Sequence, residues 1–559
     1  MLNSLVDFFC LNKGLLRRSF YNLDIDIKHF QLQDIRTYFN CTDPASFLID
    51  FSRKKLFGRT GMCRKFLAVG VFCVLFFYLL LLTRITPTIL GTKPPEQTPR
   101  ENPKTAKTVN YGFPSLDSCL KPPEWWKKLN KKDPRKYPIF ELSQDYPAEA
   151  PSPRCPDEEC RWQKLDFRTQ SKEYLFEVLK YAFEGNLEID WRVQENPVRK
   201  WYHAPWMHTS KYGREFIHGL TKERHLCKAE LLAETKVPCP DKERTIESWA
   251  VGIYNERGAY YIGKVWEEML KDKPNAANFP AEGFPEGTVS FKLLFTEGGK
   301  EHDAHFLDNS FEWRIDNKRA NINDLKADEC ILPEGINPKC IGVVRLLQID
   351  VAVRDNRSPT GWVFGTFVYN AKAPAFYDYK FSPTLTAAEK ENLRRWLKLE
   401  FVGLMYGNDE KVKLGGKLTE SIINREIKVP QKLGCGGRLN GLVDTPVSSC
   451  MSCHALAETE ANLKLDKMPY DQIAAGCNDE KLSVWFRNIN PRSEDLIVKT
   501  FTKPEQGRRI VSLDYSLQLR EGIMRFCEQN KSKCGLSEKN PAKVFTVTRS
   551  GIEDSDESP

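Results

Sequence analysis

The sequence predicts an α+β fold: an antiparallel β-sheet with flanking helices, followed by a mainly helical C-terminal region and preceded by a single N-terminal transmembrane helix. Three patterns predict it. Between residues 249 and 370, apolar and polar residues alternate with the period of two that marks half-buried strands. On either side of that stretch apolar residues recur at helical spacing, and helices segregated from antiparallel strands make an α+β domain. Near the N-terminus, Phe66 to Leu82 (FLAVGVFCVLFFYLLLL) is an uninterrupted apolar run.

That run follows Lys54, Lys55, Arg59, Arg64 and Lys65, which belong on the cytoplasmic side of a membrane. Thr83, Arg84, Ile85 and Thr86 come next instead of a small-x-small cleavage site, so residues 62–86 read as an uncleaved signal anchor. The expected location is the cytoplasmic (inner) membrane, single-pass, with the main domain in the periplasm. Residues 1–61 form an extension that such an anchor does not need, and Met62, directly before Cys63, Arg64 and Lys65, reads as the initiator. Residues 87–153 are rich in Pro, Lys and Glu (KPPEQTPRENPK, then KKLNKKDPRK) and predict a solvated linker. An α+β domain over 154–375, a helical region over 376–545 and an acidic tail over 546–559 complete the expected organisation.

Within the α+β domain, SKEYLFEVLKYAFEGN predicts a helix beginning at Ser171 and stopped by Gly185. WAVGIYN reads as a strand and AYYIGKVWEEML as an amphipathic helix. In TVSFKLLFT, Val289, Phe291, Leu293 and Phe295 alternate with Ser290, Lys292, Leu294 and Thr296, which turns Lys292 away from the Phe face and towards solvent. VRLLQIDVAV and GWVFGTFVYN, joined by RDNRSPTG, predict an antiparallel hairpin. Farther on, TAAEKENLRRWLKLEFVGLM and SLDYSLQLREGIMRFCEQ both carry helical patterns, the second capped by Ser512 or Asp514.

A net charge of +8 on 559 residues is small, and Lys and Arg are interspersed with Asp and Glu, so nucleic acid is not the expected partner. Seventeen cysteines suit an oxidising compartment better than a reducing one. Cys155 with Cys160, Cys227 with Cys239, Cys330 with Cys340, and Cys527 with Cys534 lie close enough in sequence to staple small loops.

Chemistry concentrates at SCMSCHAL. Cys450, Cys453 and His454 form CxxCH, the pattern of covalent haem c attachment: two thiols reach the vinyl groups of one porphyrin edge, and the next imidazole ligates the iron. With 17 Cys and 8 His in 559 positions, chance yields such a motif on the order of a hundredth of a time. A thioredoxin-like redox pair would need a preceding strand, whereas GLVDTPVSS reads as a loop. A zinc site would need a second ligand pair, which Cys435 and Cys477 supply only loosely. One covalent haem c is therefore expected, with Met468, in LDKMPY, as candidate distal ligand; Met524 lies on a predicted helix and reads as core, and Met405 has no context that supports a ligand role. His203, His208, His218, His225, His302 and His305 lack i, i+4 ligand spacing and read as ordinary polar or capping residues.

CxxCH gives the chain a resemblance to c-type cytochromes, which implies electron transfer with redox partner proteins. FPEGTVSFK, TGWVFGTFVYN and SCMSCH together look like the periplasmic haem proteins in which a lysine is cross-linked to the porphyrin and hydroxylamine is oxidised. That likeness implies the cross-linking role for Lys292. The chain departs from the pattern in about eighty extra residues before the motif and in its C-terminal extension. The expected function is a membrane-anchored haem c electron-transfer protein. The alternatives are a haem enzyme acting on a small nitrogen or peroxide substrate, and a binding or sensing module stabilised by haem and disulfides.

Overall fold

Nine antiparallel strands build the central sheet in the computed structural model, which describes residues 108–110, 122–143, 145–207, 213–236, 238–267, 273–317, 327–412, 416–460, 485–490 and 510–534. The strands are β1 (Trp201–His203), β2 (Thr221–Lys222), β3 (Ser248–Asn255), β4 (Val289–Thr296), β5 (Glu312–Asp316), β6 (Ile341–Arg354), β7 (Trp362–Tyr369), β8 (Leu399–Met405) and β9 (Ser421–Ile423). They lie in the order β9-β8-β7-β6-β4-β3-β1, with β2 also pairing with β3 and β5 with β6. β6 and β7 form the expected hairpin, Asp350 standing opposite Thr366.

Register sorts the side chains by face. Gly252, Lys292, Asp350, Thr366 and Gly403 occupy one cross-strand row, and Val251, Leu293, Ile349, Phe367 and Phe401 occupy the next. Successive residues of a strand point to opposite faces, so the polar and apolar rows belong to different sides of the sheet, an irregularity at Val402 keeping Phe401 and Gly403 in step with Phe367 and Thr366. Helix α2 (Ser171–Phe183) covers the apolar face; a Cβ on Gly365 would fall 2.1 Å from Leu175 Cδ1, so glycine is what lets the helix sit this close.

Among the described residues the long helical C-terminal region is not found. Helix α3 (Glu256–Trp266) follows β3, whereas helix α4 (Ala387–Arg394), opened by a capping box between Thr386 and Glu389, is short and has no buried residue, and the chain then turns into β8. Nearly every residue of β8 is buried, and an apolar run covered on both faces carries no periodicity to separate strand from helix. Only α5 (Cys450–His454) and α6 (Leu517–Gln529) follow among the described residues. Strands β8 and β9 extend the same sheet, so the described part of 376–545 belongs with a large antiparallel sheet whose helices are few and mostly short, and not with a separate helical region.

The linker expectation also changes. Helix α1 (Glu124–Lys132) buries Trp125 and Trp126 against Phe216, Ile217, Ile341 and the Cys330–Cys340 disulfide in a small separate core. Its lysines dominated the composition and concealed the two tryptophans.

The single-pass membrane placement is not supported. Among the described residues no helix is long and apolar enough to cross a membrane, and the expected anchor at Phe66 to Leu82 lies outside them, as does Met62.

Candidate functional site

The CxxCH segment sits on α5, which begins where a loop folded against the sheet ends. Ser449 caps it reciprocally with Ser452: Ser449 Oγ accepts from Ser452 N at 3.1 Å, and Ser452 Oγ accepts from Ser449 N at 2.8 Å. Ser449 Oγ also donates to Asn408 Oδ1 at 3.1 Å, and Cys450 N donates to Leu439 O at 3.0 Å. The helix start is thereby tied to its surroundings twice. Met451 and Ser452 turn inward, while Cys450 and Cys453, three residues apart and so on one helix side, line a cavity with His454.

His454 is fixed by a strained turn. Its Nδ1 donates to the backbone oxygen of Tyr515 at 2.8 Å; a carbonyl only accepts, so the proton is on Nδ1 and the Nε2 lone pair is left free. Burial holds the ring's pKa down at about 4, which keeps the imidazole neutral. Asp514 and Tyr515 both have positive φ, 47° and 64°, a conformation that costs a non-glycine residue of order 1–3 kcal/mol. The same turn presents Asp514: Oδ1 accepts from Trp362 Nε1 at 2.9 Å, Oδ2 accepts from Phe284 N at 2.7 Å, and Arg354 Nη1 stands 3.7 Å away. The Phe364 ring lies edge-on to His454 at 4.9 Å.

The polar row of the sheet forms the floor. Lys292 Nζ pairs with Glu223 Oε1 at 3.0 Å, and Asp350 Oδ1 accepts from Thr366 Oγ1 at 2.9 Å and from Gln348 Nε2 at 2.7 Å. Burial lowers the Lys292 pKa against the pull of Asp444 and Asp350; burial and then the neighbouring Asp444 push Asp350 up. Gln348 Oε1 accepts from Leu442 N at 2.8 Å, tying the loop before α5 to the sheet. Helix α6 closes another wall, and Gly252 lets it approach: a Cβ there would meet Gln518 Nε2 at 2.0 Å. The cleft between the sheet floor, α5 and α6 opens to solvent at its mouth.

Lys292 points away from the Phe face, as the alternation predicts, but that side is the cavity and not solvent. Sequence reading missed its companions Glu223, Asp350, Thr366, Asp444 and Met207, which come from separate strands and loops. Met468 lies outside the described residues. Met524 is buried, as read, and Met405 is buried as well. His203 is buried with Nδ1 3.1 Å from Ser143 Oγ, and His218 stacks on Trp313 at 4.2 Å. Neither lines this cavity.

The cysteines separate into two groups. All four expected local pairs are disulfides, Cys155–Cys160, Cys227–Cys239, Cys330–Cys340 and Cys527–Cys534. Cys435 is also disulfide-bonded, which removes it as a zinc thiolate. Cys450 and Cys453 are the free ones among the described residues. Burial raises both thiol pKa values, that of Cys453 to about 12, whereas a redox dithiol needs a lowered one. No known protein family, curated protein or solved structure matches the chain.

Proposed function

We propose that this is a haem c protein whose porphyrin is joined to Cys450 and Cys453 and whose iron is ligated by His454. One observation carries the reading: two free thiols and a neutral imidazole with its Nε2 unengaged line a single cavity. The residues fit the group chemically. Neutral imidazole ligates haem iron, its second nitrogen is engaged by a backbone carbonyl as metal-ligating histidines require, and unbonded thiols are what thioether formation consumes. When bound, the haem supplies one-electron chemistry and a coordination position for a small ligand.

Between electron transfer and turnover of a small substrate, the cavity floor favours turnover. Burying ions costs several kcal/mol apiece, and an electron carrier has no use for Lys292, Glu223 and Asp350 against its cofactor. An enzyme does, since these groups bind a small polar substrate and hold protons beside it. Lys292 shares the cavity with the motif, as the likeness to lysine-cross-linked haem proteins requires, and that likeness makes a small nitrogen compound such as hydroxylamine the first substrate to try. The chain's own parts then divide the work: α5 and the Tyr515 carbonyl orient the ligating imidazole, α6 excludes water, and the Lys292, Glu223 and Asp350 groups set the polarity of the floor.

The test is protein made in a host competent for cytochrome maturation. The peptide holding Cys450 to His454 should carry the mass of one haem, and hydroxylamine or hydrogen peroxide should change the optical spectrum on rapid mixing. Free thiols at both positions would overturn the haem reading; a haem spectrum inert to every small ligand would return the protein to electron transfer.

A further inference from the structure

We infer that Trp362 is a redox-active residue linking the haem site to a second oxidation site at surface tyrosines Tyr260 and Tyr261. The inference rests on the haem reading. It starts from a continuous file of aromatic rings. From His454 the centroid spacings run 4.9 Å to Phe364, 6.2 Å to Trp362, 5.8 Å to Phe284, 4.9 Å to Phe279, 6.4 Å to Tyr261 and 5.0 Å to Tyr260. Phe364, Trp362, Phe284 and Phe279 are buried, and the two tyrosines are half-buried at the end of the file. Electron transfer falls off steeply with distance, so a route divided by oxidisable rings outruns one long jump.

Aromatic rings crowd this core, and proximity alone would not single out Trp362. Its hydrogen bond does. The buried indoles of Trp201, Trp249 and Trp396 have N–H groups without acceptors among the described residues, whereas Trp362 Nε1 donates to the fully buried Asp514 carboxylate at 2.9 Å. An indole that loses an electron becomes a cation, and a carboxylate in contact with its N–H stabilises that charge most where the surroundings are apolar. Trp313 meets Asp190 in the same way, but among Phe295 and Trp396 on the opposite face of the sheet, outside the file. The turn that places Asp514 on Trp362 also places the Tyr515 carbonyl on His454, so one strained dipeptide holds both ends of the first step.

The electrons balance with hydrogen peroxide as oxidant. Reducing one peroxide to two waters consumes two electrons and two protons. Trp362 supplies one of those electrons and becomes the indole cation radical, its N–H proton remaining shared with Asp514. Tyr261 then gives an electron to the indole and its phenolic proton to solvent, and an external one-electron donor refills the tyrosyl radical. The second electron comes from the same class of donor. Donors too large for the cavity are therefore oxidised at Tyr260 and Tyr261.

The experiment uses the whole haem-bearing protein, frozen milliseconds after peroxide addition and read by electron paramagnetic resonance with ring-deuterated Trp or Tyr. Both labels should alter the radical spectrum. Trp362→Phe should abolish the Trp-sensitive component, Tyr261→Phe should prolong it, and the Tyr260→Phe/Tyr261→Phe double variant should lose oxidation of a bulky sulfonated dye while keeping that of a small phenol. Intact mass separates the two ways of failing. A variant that retains covalent haem and an unchanged Trp radical, or unchanged dye oxidation, overturns the inference alone. Wild-type protein without covalent haem overturns the haem reading and the inference with it.

Discussion

The two faces of the central sheet are made by the same strands, one residue out of step. On one side Val251, Leu293, Ile349, Phe367 and Phe401 form an apolar row beneath α2; on the other Gly252, Lys292, Asp350, Thr366 and Gly403 form the row that floors the cavity. A slip of one residue in pairing would exchange them and bury charge against the helix. The apolar face thus fixes the register, and the register assembles the polar face. Stability and chemistry are divided between adjacent residues of each strand, so substitutions on the two sides should have different signatures.

Phe367→Ala should show the largest effect, removing a wholly buried ring and costing about 3–5 kcal/mol in urea unfolding, while on the proposed haem reading any protein that still folds keeps an unshifted haem spectrum. A spectral shift equal to that of a floor variant would break the division. Lys292→Met should come next: it removes the lysine that pairs with Glu223 beside the cavity and should cost up to about 3 kcal/mol, and the double change with Glu223→Leu should cost less than the two single changes summed. Both variants should alter the response to hydroxylamine, which Phe367→Ala should not. Ser449→Ala removes the cap of α5 and should cost about 1 kcal/mol, with a larger fall in the yield of covalent haem than in melting temperature.

The smallest effect is one of pH. Burial, then Arg214, holds the His203 pKa well below its ordinary 6.5, so above about pH 6.5 folded and unfolded chains carry the same charge there and the contribution is complete. Below that pH the unfolded chain takes up a proton that the folded one resists, and stability is lost as pH falls. His203→Phe should flatten this acid limb in thermal melts between pH 4 and 7 without shifting the haem spectrum, because His203 lies apart from the cavity. An equally steep limb would place the titrating group elsewhere.

Much of the sheet is legible because alternation survives wherever only one face is apolar. β4 reads directly from Val289, Phe291, Leu293 and Phe295. β8 does not, because Phe401, Val402, Leu404 and Met405 are buried on both sides and mimic a helix. Close spacing suggests locally stapled loops without fixing the pairing, and the four local disulfides join those neighbours. CxxCH is legible as a motif, but its surroundings are not: Lys292 is visible as an off-face residue, while Asp444 and Gln518, which make that face a cavity wall, come from more than 150 residues later in the chain. Asp514 reads as a helix cap from composition; the actual cap of α6 is Ser516, and Asp514 is drawn into the turn by Trp362, Phe284 and Arg354.

That turn carries a cost in adaptability. Two adjacent side chains in the left-handed region are hard to replace, since glycine would relax the backbone but surrender either the carboxylate or the Tyr515 hydroxyl that clasps Ile489 at 3.0 Å. Any drift in the dipeptide disturbs an imidazole and an indole together, so the imidazole cannot be retuned without disturbing the indole.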